Sequence, residues 1–292
     1  MTRARPLLYP DAAAWQGADA RRVMVFGMSG LGKTRLATML RAEARWFHYS
    51  VDYRIGTRYM GEHIVDNCKA EAMKSPFLAG LLLSDSIYIG SNITFDNLAP
   101  LSTYLGKPGD PGRGGLPYAE YLRRQEQHRR AEIAAMADTP YFIERAGMIY
   151  GYRDFICDTS GSICEVVDPW DDDDPVMDQL SCHVLPVWIE GSDAQAAELI
   201  ARFARAPKPM YYRPELLAEF WEGYRTETGR AEAQVDPDDF ARWSFARALK
   251  ARLPRYRAIA ERWGVRVSAE EVAALATPDD FVALVGRALA RG

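Results

Sequence analysis

Residues 27–34 read Gly27-Met28-Ser29-Gly30-Leu31-Gly32-Lys33-Thr34, which fits the phosphate-loop pattern G-x-x-x-x-G-K-[ST]. The glycines of such a loop let backbone N–H groups curve around phosphate oxygens, and the N-terminus of the following helix adds its positive dipole. Lys33 is expected to reach the β- and γ-phosphates, and the Thr34 hydroxyl to bind Mg²⁺. All eight residues are therefore predicted to hold a nucleoside triphosphate.

Strand and helix patterns alternate on both sides of this loop. Residues 22–27 (RVMVFG) form a continuous apolar run typical of a buried parallel strand, and a helical pattern follows over 34–45. Further strands are predicted over 46–52, 152–158 and 183–190, where Pro186 either weakens the prediction or places the strand near a sheet edge. Helix starts are predicted at two capping boxes and an N-cap, which begin at Ser192, Ser268 and Thr277. Strands alternating with helices predict a parallel sheet covered on both faces.

Composition and charge argue against several classes of protein. The chain has 292 residues, with 36 Lys and Arg against 40 Asp and Glu, and this net charge of −4 argues against a nucleic-acid partner. Its longest apolar run, 77–83, is far shorter than the roughly 20 residues of a membrane span, and no signal-peptide pattern precedes Asp11. Four cysteines without metal or disulfide spacing favour a reduced compartment. We expect a cytoplasmic protein with a small-molecule substrate and no membrane partner, and its oligomeric state stays open.

Two segments interrupt the alternation of strands and helices. The first is 57–117, whose KPGDPGRGGLP run at 107–117 is predicted to be a mobile loop. The second is the acidic run 168–178 (DPWDDDDPVMD), which predicts a solvated loop, with binding of additional Mg²⁺ as the alternative.

Five short motifs follow the phosphate loop in a fixed order. They are Ser50-Val51-Asp52, Tyr121-Leu-Arg123-Arg124-Gln-Glu126, 155–162 (FICDTSGS), 187–212 (VWIEGSDAQAAELIARFARAPKPMYY) and Arg252-Leu-Pro254-Arg-Tyr256. In this order they resemble five segments of the shikimate kinase and gluconate kinase group. These segments are an Asp-x-Asp motif, a Phe-Arg-Arg-x-Glu motif, a strand that leads into a Gly-Gly-Gly turn, the fourth strand with its helix and lid, and an Arg-x-Pro-Leu-Tyr motif. The resemblance covers about 21–56 and 118–292, and the insertion at 57–117 has no counterpart in that group.

The resemblance implies a role for two carboxylates. Asp52 matches the aspartate that contacts the hydroxyl accepting the phosphate, a position from which a carboxylate can orient or deprotonate an alcohol. The family's magnesium-associated aspartate is Ser50 here, so Asp158, which follows an apolar run, is the candidate for holding Mg²⁺. The alternatives are a helix or loop cap for Asp52 and a satisfied polar strand end for Asp158.

The resemblance also implies residues for the substrate and the lid. Arg123 and Arg252 match arginines that bind a substrate carboxylate. Gly161 is the one glycine of this chain that matches the Gly-Gly-Gly turn, which the resemblance assigns to substrate binding. Lys208 matches the lid arginine, with Arg202 and Arg205 as further lid cations that would close over the phosphates. For Arg123 the alternative is an exposed helix face on which it pairs with Glu126.

The fold class implied is an α/β P-loop NTPase with a parallel five-stranded sheet flanked by helices, a helical insertion and a lid. One domain is expected over 1–292, with an insertion or substrate subdomain over 57–117 and a lid region over 191–215. The implied activity is transfer of phosphate from ATP, with Mg²⁺, to a hydroxyl of a small anionic metabolite, although the insertion leaves room for a nucleotide-linked sugar or a tRNA end. The alternative is a regulatory ATPase in which 158–162 senses the γ-phosphate.

Overall fold

The computed structural model describes residues 3–42 and 45–291. Within these ranges five strands form one sheet, and all neighbouring strands run parallel. The strands are β1 (Arg22–Phe26), β2 (Trp46–Ser50), β3 (Asp154–Asp158), β4 (Leu185–Glu190) and β5 (Val265–Ser268). Their order across the sheet is β2-β3-β1-β4-β5, so the strand that leads into the phosphate loop lies in the centre. The predicted α/β P-loop NTPase class with its five-stranded parallel sheet is confirmed.

Helices form most of the remaining regular structure. They are α1 (Ala12–Gln16), α2 (Lys33–Ala42), α3 (Val51–Arg54), α4 (Gly61–Ala72), α5 (Pro76–Leu83), α6 (Ala99–Leu105), α7 (Tyr118–Ala137), α8 (Thr139–Tyr150), α9 (Ile163–Val166), α10 (Pro175–Ser181), α11 (Asp193–Arg205), α12 (Pro214–Thr228), α13 (Pro237–Trp263), α14 (Ala269–Ala273) and α15 (Pro278–Arg291). In the described part of the chain, none of these helices combines the length and apolar character needed to cross a membrane.

The chain divides into two compact units. The first unit comprises Met1–Val51, Glu132–Pro207 and Arg242–Gly292, and it contains the whole sheet. Its strands are buried almost throughout, and rings such as Trp46 and Phe281, 5.8 Å apart edge to face, pack where α15 covers β2.

The second unit comprises Asp52–Ala131 and Lys208–Ala241 and includes the predicted insertion. Its core is built around buried Trp221, which stacks on Tyr118 at 4.5 Å and meets Phe240 edge to face at 5.2 Å. The insertion is helical over α4, α5 and α6, as expected. The single-domain, insertion and lid boundaries stay predictions.

The first two strands end earlier than the sequence predicts. β1 stops at Phe26 because Gly27 has a φ of +138°, outside the strand region. β2 stops at Ser50 because Val51 begins α3, so Asp52 lies in the first turn of a helix. The helix after the phosphate loop begins at Lys33 and ends at Ala42, and residues 43 and 44 of the predicted 34–45 helix lie outside the described residues.

The other two predicted strands begin two residues late. Gly151, with a φ of +70°, ends α8, and β3 therefore starts only at Asp154. β4 starts at Leu185 and is the second strand from the sheet edge, paired with β1 on one side and with the edge strand β5 on the other, so it lies near the edge as Pro186 predicts. Pairing with β5 begins at Val187, so the proline, which has no N–H to donate, precedes that ladder.

The acidic run is only partly the solvated loop that was expected. Residues 171–173 are exposed, but Asp174 is buried and caps α10 by accepting the N–H groups of Val176 and Met177 at 3.0 and 2.9 Å. The expectation failed there because a capping carboxylate can be buried once backbone donors satisfy it.

The loop at 107–117 is closed by its own backbone. Leu116 donates its N–H to Lys107 at 2.8 Å, and Gly109 donates to Leu116 at 2.9 Å. Its predicted mobility stays a prediction.

The three predicted helix starts are confirmed. Capping boxes are present at Ser192 and Ser268, and the N–H of Asp280 donates to the Thr277 hydroxyl at 3.2 Å.

Candidate functional site

The phosphate loop joins the central strand to α2 in a conformation that its glycines make accessible. Gly27, Gly30 and Gly32 have φ angles of +138°, +88° and +90°, a region that side chains disfavour. A Cβ on Gly27 would also lie 2.6 Å from the carbonyl oxygen of Ile189, so the turn has no room for one. The loop therefore has the open backbone that phosphate binding requires, and it leads into a helix N-terminus.

Lys33 lies over this loop. Its side chain is buried at the first position of α2, and its Nζ donates to the carbonyl oxygens of Gly27 and Met28 at 3.0 and 3.2 Å. These bonds hold the ammonium group across the turn rather than extended into solvent. Its position fits the predicted role of binding phosphate oxygens as a point charge.

Thr34 and Asp158 meet although 124 residues separate them. The Thr34 hydroxyl donates to the Asp158 Oδ2 at 3.0 Å. Asp158 is the last residue of β3 and pairs in register with Val25 of β1, so the sheet itself brings the carboxylate to the start of α2. A hydroxyl and a carboxylate are hard oxygen donors of the kind Mg²⁺ prefers, and both residues fit the predicted metal role.

A buried histidine stands beside this pair. His48 lies on β2, and its Nε2 is 3.8 Å from the same Asp158 oxygen. Among residues 3–42 and 45–291, no group of three or more His, Cys, Asp or Glu side chains is arranged to hold a metal ion. A magnesium ion held by Thr34 and Asp158 would therefore complete its coordination with phosphate oxygens and water, the usual manner of Mg²⁺ binding.

The turn after β3 packs against the phosphate loop. A Cβ on Gly161 would lie 2.7 Å from the Oγ of Ser29, so only a glycine approaches the loop this closely without displacing it. Ser162 donates its hydroxyl to the buried carboxylate of Glu132 at 2.8 and 2.9 Å, and the Tyr256 hydroxyl donates to the carbonyl oxygen of Gly161. The turn is thus held from α7 and from α13 against the phosphate loop.

Arg252, predicted to bind substrate, forms a buried ion pair in the first unit. Its Nε donates to Glu165 at 2.8 Å, and the two side chains are 7% and 0% exposed. Burial by itself lowers the pKa of Arg252, but the charge of Glu165 raises it and the net shift is upward. Arg252 therefore stays charged and helps to anchor the segment after β3, and its role as a substrate ligand stays a prediction.

Two predicted lid cations lie on or at the end of α11. Both Arg202 and Arg205 are exposed, and the Arg202 guanidinium lies against Gly30 of the phosphate loop, where a Cβ would overlap it. Arg202 therefore lies at the phosphate loop, and its contact with nucleotide stays a prediction. Nothing comparable is seen for Arg205, whose role stays a prediction.

Asp52 and Lys208 belong to the second unit. Asp52 is half-buried in the first turn of α3, two residues after the end of β2, and Lys208 is exposed. The segment after Lys208 is tied to α7, since Tyr121 and Gln125 both donate to the carbonyl oxygen of Met210, at 2.9 and 3.0 Å. The predicted catalytic roles of Asp52 and Lys208 stay predictions.

Arg123 lies on the exposed surface of α7. Its Nε and Nη2 each donate to Glu120 at 2.7 Å, and slightly more than half of its side chain is exposed. The alternative pairing with Glu126 is wrong because Glu126 accepts from Arg130 instead. Hydrogen bonds from Arg123, with a smaller contribution from Arg124, lower the pKa of Glu120 to about 2 against the opposing effect of burial.

Sequence reasoning missed three residues around the site: His48, Glu132 and Glu165. Each is a titratable residue within an apolar stretch, Glu132 in EIAAMA and Glu165 in ICEVV, and that is the available signal. Their partners are distant in sequence, as in the 87 residues between Glu165 and Arg252, so the pairing itself leaves no local pattern.

Comparison with solved structures finds similar folds, and a shikimate kinase is among them. No protein-family model and no curated protein matches the chain. The crystal structure of shikimate kinase from Bacteroides thetaiotaomicron is similar over 91% of this chain and 95% of that one, at 17% identity and a TM-score of 0.36. At this level the likeness assigns neither substrate nor activity.

Proposed function

We propose that the protein is an ATP-dependent phosphotransferase that moves the γ-phosphoryl group of ATP to a hydroxyl of a small, anionic metabolite. The observation that carries this proposal is the 3.0 Å hydrogen bond between Thr34 and Asp158 beside an intact phosphate loop. It joins the hydroxyl of the phosphate-loop pattern to a carboxylate at the end of the adjacent strand, the pair of groups that holds Mg²⁺ in P-loop enzymes.

Each residue of the site has a proposed task. Backbone N–H groups of 27–32 and the ammonium group of Lys33 bind the β- and γ-phosphates, and Thr34 and Asp158 hold Mg²⁺. The bound Mg²⁺ would neutralise charge that develops on the phosphate oxygens. Arg202 adds a second cation at Gly30, which stabilises that charge during transfer.

Acceptor binding is assigned to three residues. Asp52 orients the acceptor hydroxyl or accepts its proton, and Arg123 and Arg252 bind the anionic group of the metabolite. Arg123 can adopt this role at small cost because its present partner, Glu120, is a neighbour on an exposed helix surface. Arg252 would have to share its guanidinium with Glu165, so Arg123 is the stronger of the two candidates.

A regulatory ATPase is the second candidate, and the turn at 159–162 favours it. Gly161 lies against Ser29, and Glu132 and Tyr256 hold the turn in place. A turn so close to the phosphate loop can respond to the presence of the γ-phosphate and change the binding of a partner protein.

The two functions are separated by the product formed from ATP. Purified protein is incubated with Mg-ATP and pooled metabolites, ADP release is recorded, and phosphorylated products are sought by ³¹P NMR. A phosphotransferase gives metabolite-stimulated ADP release with a matching phosphorylated product. Release of ADP and inorganic phosphate alone, whatever metabolite is added, would establish the regulatory ATPase instead.

Asp52→Asn distinguishes them by a second route. If Asp52 contacts the acceptor, the variant keeps its affinity for ATP and its melting temperature but loses about 10²–10⁴-fold in stimulated transfer. The control is Asp66→Asn, which alters an exposed aspartate on α4 of the same unit. This variant should transfer phosphate to the metabolite at the parent rate. Stimulated transfer at the unaltered rate in Asp52→Asn would remove Asp52 from the mechanism.

A further inference from the structure

A cavity of about 370 Å³ lies in the first unit beside the start of β5. The side chains that give it its character are Arg3, Trp188, Arg257, Glu261, Arg266 and Arg291. Its floor includes Gly264 and Val265, where β5 begins, whereas the phosphate loop follows the last residue of β1. The registers of Val187 with Val25 and with Val265 place the start of β5 level with the end of β1, two strands away across the sheet.

The lining is strongly basic in a chain that is acidic overall. Four arginines and one glutamate line the cavity and give it a net charge of +3, whereas the whole chain carries −4. The lining also includes the apolar residues Trp188, Val265 and Ala288. Low-dielectric walls that carry charge of one sign concentrate the electric field inside a cleft and attract counter-ions.

Protein carboxylates neutralise only part of this charge. Arg266 pairs with Glu190 at 3.2 Å and Arg291 with Glu271 at 3.5 Å, and both arginine side chains are more than half exposed. Exposed pairs of this kind are weak and exchange partners readily. Even if both pairs stay closed, Arg3 and Arg257 face the single carboxylate of Glu261.

Arg3 is fixed at the edge of the cavity by the backbone. Its Nη1 donates to the carbonyl oxygen of Gly264 at 3.1 Å, which ties the N-terminal segment to the start of β5. A guanidinium has five N–H donors, so one such bond leaves donors for a ligand. The planar group matches the oxygens of a phosphate in pairs, which an ammonium group does not do.

We propose that this cavity is a second anion site, which binds a small molecule bearing a phosphate or diphosphate group. Its volume suits a small ligand. The ligand's phosphate oxygens contact Arg257 and Arg3, with Arg266 and Arg291 closing from the rim, and its apolar part packs against Trp188 and Val265. Among the described residues, its lining includes none from the phosphate loop at 27–34, although the Trp188 ring also borders Gly27.

Inorganic pyrophosphate is the probe, and the phosphate loop is silenced first. Isothermal titration calorimetry at low salt measures pyrophosphate binding to Lys33→Ala protein and to the double variants Lys33→Ala/Arg257→Ala and Lys33→Ala/Arg266→Ala. The matched control is Lys33→Ala/Arg247→Ala, which removes an arginine of the same helix, α13, that does not line the cavity. Thermal melts verify that all four proteins are folded.

The expected result is one pyrophosphate per Lys33→Ala chain, with affinity that falls as salt rises. Arg257→Ala should weaken binding about 10-fold or more, because it removes a charged hydrogen-bonding group, and Arg266→Ala should weaken it by less. Arg247→Ala should leave it within about twofold. Absence of binding to Lys33→Ala protein, binding that Arg257→Ala leaves unchanged, or an equal loss in the Arg247→Ala control would each overturn the proposal.

Discussion

The kinase resemblance assigns site residues both to the carboxyl end of the sheet and to the exposed surface of α7. The two regions differ in how far along the chain the partners of these residues lie. At the sheet, Thr34 meets Asp158 across 124 residues, and Arg252 meets Glu165 across 87. On α7, Arg123 is held by Glu120, three residues away on the same helix. Residues of the first region are fixed by tertiary packing, whereas the main partner of Arg123 is a neighbour on its own helix.

This difference separates the two arginines that resemble substrate ligands. Arg252 is buried with Glu165, and its removal would strand a buried carboxylate. Arg123 is exposed, and its removal leaves Glu120 in contact with water and with Arg124. Substitutions in the first region are therefore expected to have large effects on turnover or stability, and substitutions on α7 small effects on stability.

Lys33→Ala is expected to have the largest effect on activity. The ammonium group lies across the phosphate loop, so its loss removes the positive charge nearest the phosphates while leaving the core intact. Steady-state ADP release should fall by about 10³-fold or more. Lys74→Ala, which removes an exposed lysine paired with Glu71, should turn over like the unaltered protein. Comparable turnover in a folded Lys33→Ala protein would refute the phosphate-loop assignment.

Arg252→Ala is expected to be the most destabilising of these changes. It leaves the buried Glu165 carboxylate without its ion pair, and breaking such a pair costs about 3–5 kcal/mol of unfolding free energy. Urea unfolding followed by circular dichroism measures the loss. The double variant Arg252→Met/Glu165→Leu, which removes both charges, should recover much of it. A single variant within about 0.5 kcal/mol of the parent would show that the pair contributes nothing to stability.

Arg123→Ala is expected to have the smallest effect on folding. An exposed pair on one helix contributes about 0.3–0.5 kcal/mol, so urea unfolding near neutral pH should change little. If Arg123 binds the acceptor, the same variant should raise KM for the metabolite while leaving KM for ATP unchanged. Equal KM values for the metabolite in both proteins would exclude that role.

The pH dependence of stability gives a further check on the Arg123 pair. The pKa of Glu120 is lowered to about 2, chiefly by its hydrogen bonds with Arg123, from an ordinary value of 4.5. A depressed folded-state pKa adds stability that is present above pH 4.5 and is lost as the pH falls towards 2. In Arg123→Ala the pKa should rise only part of the way towards 4.5, because Arg124 still donates to Glu120. An unchanged Glu120 pKa, measured by NMR titration, would contradict the assignment of the shift to Arg123.

The sequence predicts local geometry well and long-range pairing poorly. The capping boxes at Ser192 and Ser268 and most strand positions depend on neighbouring residues, and they are confirmed. The sheet order β2-β3-β1-β4-β5 and the burial of Glu132 depend on packing between distant segments, which no local pattern encodes. Asp158 was found because an aspartate after an apolar run is itself a local signal, but its contact with Thr34 became visible only in the structure.

The pairing of Thr34 with Asp158 is the basis of the proposed function, and the Mg²⁺ dependence of ATP binding tests it most directly. Isothermal titration calorimetry measures ATP affinity with and without Mg²⁺ for the parent protein, for Asp158→Asn, and for the control Asp171→Asn from the exposed acidic run. Mg²⁺ should increase the affinity for ATP by a certain factor in the parent protein. If Asp158 helps to hold Mg²⁺, this factor should be about 10- to 100-fold smaller in Asp158→Asn and unchanged in Asp171→Asn. The affinity for ATP without Mg²⁺ should be the same in all three proteins. Parent-like tightening by Mg²⁺ in a folded Asp158→Asn protein would contradict the account.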